Sequence, residues 1–209
     1  MTLLPALAFG FALGVRHATD ADHIAAIGTF LSSKRSTGGA AAVGAMWGLG
    51  HSLSVLLVGG ALVLLRLPMP PTVGLVLEFL VALMLIALGV RSLRAGRRHE
   101  APSRVRPLLV GVVHGLAGSA VLALMVLGTT TGPWAAAVYL ICFGLGTIGG
   151  MMLVTVLLTL PVRLSSARAM TMERLVRVTA GVASVVVGVL LAHRVGVQDG
   201  LFAVSVFGP

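Results

Sequence analysis

The stretch "GVRHATDADHIAAIG", residues 14–28, places an arginine, two histidines and two aspartates between long apolar runs, and its reading decides the fold. The surrounding chain is apolar to a degree that soluble domains do not reach. Of 209 residues 57% are hydrophobic and 10% charged, with a mean hydropathy of +1.06, which marks an integral membrane protein. A spanning helix needs about 20 mostly apolar residues. Six runs qualify, at about 3–31, 39–65, 72–93, 107–128, 134–160 and 174–192. The connections "SSKRSTGG", "RLPMPP", "RAGRRHEAPSRVRP", "GTTTGP" and "RLSSARAMTMER" are too short for a soluble domain. The expected architecture is all-α, a single transmembrane domain over 1–209 with six helices.

The net charge of +9 is a topology signal and not a nucleic-acid footprint. Lys34, Arg35, Arg91, Arg94, Arg97, Arg98, Arg104, Arg106, Arg163, Arg168, Arg174 and Arg177 lie in or beside the odd-numbered connections. The opposite side holds Arg66 and Arg194, and Arg16 sits inside the first span. The positive-inside rule puts the odd connections in the cytoplasm and both termini outside, with anionic lipid as the partner of the basic loops. The N-terminal run lacks a basic leader and a small-residue cleavage site, so it reads as the first span and not as a signal peptide. Cys142 is the one cysteine and falls in the fifth span, which excludes an internal disulfide.

The halves echo each other. "GVRH" at 14–17 returns as "GVVH" at 111–114, "WGLGHSLSVLLV" at 47–58 as "FGLGTIGGMMLV" at 143–154, and "LGVRSL" at 88–93 as "VGVLLAHR" at 187–194. Three spans per half, repeat 1 over about 1–93 and repeat 2 over about 107–194, would enter the membrane from opposite sides, an inverted 3+3 plan used by secondary transporters. Gly10/Gly14, Gly44/Gly48, Gly111/Gly115 and Gly146/Gly150 have the G-x-x-x-G spacing of closely packed helices.

Each charged residue near the middle of a span costs on the order of 2.5–3.5 kcal/mol on insertion scales, so Arg16, Asp20 and Asp22 must face a protein-lined or hydrated interior. With His17 at zero on a regular helix, Asp20 falls at about 300°, His23 at about 240° and Asp22 at about 140°. Either Asp22 pairs with a neighbouring helix or the helix is broken here, and Arg16 is a candidate partner for Asp20 or Asp22. The donor set is nitrogen and oxygen without thiolate, which suits nickel, cobalt, zinc or copper(II). His51 in "GLGHSLS" and His114 in "VHGLAGS" lie at comparable depth and extend the candidate metal set to His17, Asp20, Asp22, His23, His51 and His114. Among these, His114 is expected either to donate a distal nitrogen to the main site or to line the exit beside it. His99 and His193 lie in a loop and at a helix end. Glu78 is a further intramembrane acid, for proton coupling, a pair with Arg16 or a helix–helix hydrogen bond; Ser52, Ser119 and Thr129 offer hydroxyls.

"HATDADH" fits the pattern H-x4-D-H, and "RHATDADHIAAI" followed one helix later by "GLGHS" resembles the signature of the nickel/cobalt transporter family. The short chain and "VHGLAGS" are most similar to its urease-accessory nickel transporter branch. The motifs cover about twenty-five residues, and the six-span plan departs from the eight-span permeases of the family. The resemblance implies a permease of the cytoplasmic membrane carrying nickel or cobalt, with His17, Asp22, His23 and His51 as functional residues. The metal is then cargo, and no cofactor or ATPase subunit is implied. The chain lacks the histidine-rich loop typical of efflux relatives, which favours uptake. Two rivals remain at this stage. One is a six-helix intramembrane hydrolase using Ser119 or Ser52 with a histidine base; the other is a small-solute exporter of similar 3+3 plan.

Overall fold

A computed structural model describes residues 3–31, 36–65, 67, 69–94, 105–129, 132–164 and 169–206. Lys34, Arg35, Arg66, Arg97, Arg98, His99, Arg104 and Arg168 lie outside the described residues, as do the side chains of Ser119, Thr129 and Arg163. The described residues form helices joined by turns and short irregular connections: α1 (Leu3–His17), α2 (Ala21–Leu31), α3 (Thr37–Ser54), α4 (Gly60–Leu65), α5 (Pro71–Arg94), α6 (Val105–Thr129), α7 (Pro133–Leu164), α8 (Ala169–His193) and α9 (Leu201–Val206). A π-helical turn, Val55–Gly59, joins α3 to α4 so that 37–65 runs as one rod; a second, Arg194–Gln198, extends α8.

Four rods, Thr37–Leu65, Pro71–Arg94, Trp134–Leu160 and Thr171–Gln198, are long and apolar enough to cross a membrane. The first expected span is not one helix. It divides into α1 and α2 at 18–20, where the ladder tightens through Thr19 N–H to Arg16 O (2.9 Å) and Asp20 N–H to His17 O (3.1 Å). The Thr19 hydroxyl donates to Arg16 O at 2.6 Å, and Asp20 O accepts from Ile24 N–H to start α2. Short polar side chains at consecutive positions thus end one helix and begin the next without proline or glycine. Other boundaries follow ordinary rules. Ser36 accepts from Gly39 N–H (3.0 Å) and caps α3, while prolines open α5 and α7.

Packing is dominated by small residues, because helices in lipid gain their association from close backbone approach. Helix α1 packs on α7, α3 on both α6 and α7, α5 on α8, and α2 on α8. The contacts come in matched pairs. A Cβ at Gly14 would overlap the Phe143 carbonyl oxygen and crowd Thr147 N; a Cβ at Gly111 would overlap Trp47 O and crowd His51 N. Gly146 sits likewise on Phe11 O and Gly50 on Leu108 O, and Gly89 on Gly181 O and Gly188 on Ala82 O. We expect Gly111→Val to destabilise the detergent-solubilised protein by at least the roughly 1–3 kcal/mol typical of overpacking. Gly74→Ala should be neutral, since nothing lies within 4 Å of a Cβ there. Thermal unfolding of both variants checks the contrast.

Two buried apolar clusters form. One gathers Ala18, Ala26, Ile27, Ala40, Trp47, Val81, Leu85, Ala117 and Met151; the other Val55, Val63, Ala136, Tyr139, Leu140 and Phe143. His23 packs against Trp47 of the first and His17 against Phe143 of the second.

Candidate metal site

The break at 18–20 creates the site. His17 ends α1 and Asp22 and His23 open α2, so the turn between them brings the His17 and His23 rings to a 4.6 Å centroid separation. Helix α3 adds His51, 5.0 Å from His17 and 5.4 Å from His23 between centroids, and α6 adds His114, 4.3 Å from His23. His23, His51 and His114 are buried. Both alternatives raised for Asp22 hold together: the helix is broken, and the carboxylate meets a neighbouring helix.

Asp22 is the hinge of the hydrogen bonding. Its Oδ1 accepts from His23 Nδ1–H (3.0 Å) and from the His23 backbone N–H (2.9 Å), and its Oδ2 accepts from His114 Nε2–H (2.9 Å). On the other flank Asp20 Oδ2 accepts from His17 Nδ1–H at 2.9 Å, while His17 Nε2 lies 3.2 Å from His51 Nε2. A neutral imidazole that donates through one nitrogen keeps a lone pair on the other. His23 Nε2, His51 Nδ1 and His114 Nδ1 are buried and make no hydrogen bond among the described residues. A polar atom left so costs about 1–3 kcal/mol, which a coordinated cation would relieve. Two donor triads satisfy the proximity a metal needs, His17–His23–His51 and Asp22–His23–His114, each with ligand atoms within 4.8 Å of one another. They share His23.

Five of the six candidate residues therefore converge. Asp20 touches the cluster through His17 but is 53% exposed, so it orients that ring from outside. His114 is not beside the cluster but within it, through its bond to Asp22. The expected pairing of Arg16 with Asp20 or Asp22 is absent among the described residues, where histidines hold both carboxylates and Arg16 is exposed. Nor does Glu78 meet Arg16; its charged neighbours are Arg194 and Asp199. The Ser52 hydroxyl donates to Gly144 O (3.1 Å) and not to a histidine, which leaves the hydrolase reading without its serine–histidine pair there. Two residues went unread as site components. The Phe143 ring lies 5.5 Å from His17, and the Trp47 ring 6.1 Å from His23 and 6.0 Å from His114. Their signal was the shared "GLG" that follows each of them.

The comparisons with known proteins point to nickel transport. A family profile described as high-affinity nickel-transport protein matches residues 3–99, which contain His17, Asp22, His23 and His51. The urease accessory protein UreH of Bacillus sp. (strain TB-90) is 31% identical over 219 aligned residues, covering 96% of this chain and 96% of that protein. The chain belongs to the high-affinity nickel-transport family. As a member of that family it is a multi-pass membrane protein and a nickel permease, not an enzyme, and nickel is its cargo and not a cofactor. No solved structure matches the chain.

Proposed function

We propose that this nickel-transport family member takes up Ni2+, with Co2+ as a second cargo, across the cytoplasmic membrane through the histidine–aspartate cluster. The observation that carries the reading is Asp22 bridging His23 and His114 beside the His17–His51 pair. Four imidazoles and a carboxylate replace the water shed by a borderline divalent ion. The donors come from four different helices, so a small relative movement of these helices weakens several bonds at once and releases the ion. Asp20 holds the His17 tautomer in the manner of carboxylate–histidine pairs at metal sites.

The six-span, inverted 3+3 topology is part of the proposal. It counts α1 with α2 as the first span and α6 as the fourth. The paired glycine contacts support it: exchanging α1 with α6 and α3 with α7 turns Gly14 on Phe143 and Thr147 into Gly111 on Trp47 and His51. The basic connections favour both termini outside, so a cysteine replacing Arg98, in a Cys142→Ser chain, should react with an impermeant thiol reagent from the cytoplasmic face alone. A divalent ion entering down 100 mV gains about 4.6 kcal/mol, so uptake needs no ATPase partner.

Radioactive nickel uptake by cells expressing the chain, with cobalt, zinc and manganese as competitors, tests the assignment. Saturable nickel uptake inhibited by cobalt is expected; uptake no greater than in control cells rejects it. The two triads also order the variants. His114→Ala leaves His17, His23 and His51 in place and His17→Ala leaves Asp22, His23 and His114, so each should lower nickel affinity and maximal uptake severalfold, while His23→Ala, which breaks both triads, should abolish them. Calorimetric titration alongside uptake measures both.

A further inference from the structure

We propose that Trp47 and Phe143 are the two gates of the transport path, closing the metal cluster from opposite membrane faces. The inference rests on the reading of the cluster as the metal site and adds the residues that alternate its access. Both side chains are 0% exposed and are the largest fully buried ones in the described chain. They stand on opposite flanks of the cluster: Phe143 against His17, and Trp47 against His23 and His114. Each belongs to a different apolar cluster, so an ion leaving the histidines past either ring meets apolar side chains, while His17 and Asp22 at the α1–α2 turn keep partial exposure. Apolar constrictions of this kind gate by excluding water.

The register of α3 against α7 fixes their separation. Gly44 meets Met151 and Thr155, Gly48 meets Ile148, and the Ser52 hydroxyl bonds Gly144 O, an antiparallel pairing that puts Phe143 level with about residue 53. Trp47 therefore lies about six residues from it, or about 9 Å along the axis, with His51 in between. The two occupy matching positions of "WGLG" and "FGLG", and their carbonyls receive the matching glycines, Gly111 on Trp47 and Gly14 on Phe143. Rocking one half against the other would loosen one of these contacts while keeping the other closed. Trp47 lies in the half of its rod nearer the basic connection 32–35 and is the inner gate; Phe143, nearer the opposite end, is the outer one. The Trp47 indole N–H is buried and bonds to nothing among the described residues.

Site accessibility measured from each face tests this. In a Cys142→Ser chain, His51→Cys places a thiol within the cluster, and a membrane-impermeant cationic thiosulfonate is applied to right-side-out and inside-out vesicles. With both rings present, labelling should be slow from either face. Phe143→Ala should raise it severalfold from the outer face only, and Trp47→Ala severalfold from the cytoplasmic face only. Phe143→Leu and Trp47→Leu, gentler on packing, should give the same one-sided pattern with smaller rises, and Trp47→Phe should leave labelling slow. Faces that are opposite but reversed support the gates and overturn the topology proposed above. Rises from the same face for both positions, from both faces in the leucine variants, or from neither overturn the gates. Nickel uptake by the unaltered chain, measured in parallel, reports separately on the transport reading.

Discussion

Replacing His23 by alanine should abolish nickel uptake while the protein still reaches the membrane in its normal amount. His23 is the one residue common to both donor triads, so its loss leaves neither with three ligands. Removing a supporting partner of a metal ligand already costs about 10–100-fold, and removal of a shared ligand exceeds that. The double variant His17→Ala, His23→Ala leaves His51 without either first-span partner and should be equally inactive. Expression is spared because the His23 ring packs among other imidazoles and Trp47, while helix association rests on the glycine contacts elsewhere. Uptake of radioactive nickel, normalised to membrane protein by immunoblot, measures the effect. Normal transport by the double variant would remove the cluster from the mechanism.

Asp22→Asn should weaken nickel binding by about 10–100-fold, the range for lost support of metal ligands. The carboxylate accepts from His23 on one oxygen and from His114 on the other. An asparagine keeps a single acceptor oxygen and turns an N–H2 toward the remaining imidazole, so one ring loses its orientation and the cation loses a negative charge. Asp20→Asn should cost much less, because Asp20 is half exposed and touches His17 alone. Titration calorimetry of the two purified variants gives the ordering directly. Equal losses would make Asp20 a ligand in its own right.

Much of this was legible in the sequence because membrane insertion is an unforgiving filter. Charged and imidazole groups in the middle of apolar runs have few tolerable locations, and His17, Asp22, His23, His51 and His114 meet there. The break between α1 and α2 was less legible. "ATDA" holds neither glycine nor proline, and its interruption comes from the Thr19 hydroxyl turning back on Arg16 O and from Asp20 starting α2, local bonds that leave no mark on hydrophobic period. Without the break, periodicity alone sends Asp22 away from His17. The partner of each carboxylate was hidden too. Coulomb's law favours Arg16, but the chain's turn points Arg16 outward and gives both aspartates to histidines. Trp47 and Phe143 were visible as a repeat and invisible as lids, because an aromatic residue in an apolar helix carries no polar signal. Their role rests on three-dimensional adjacency to the rings.

In this reading nickel is held by the imidazoles of the cluster. X-ray absorption at the nickel edge, on purified protein carrying one equivalent of Ni2+, tests it most directly. The expected spectrum shows a first shell with several imidazole nitrogens whose number falls in His17→Ala and whose signal is lost in His23→Ala. A first shell of water oxygens alone, or an imidazole signal unchanged in both variants, would contradict it.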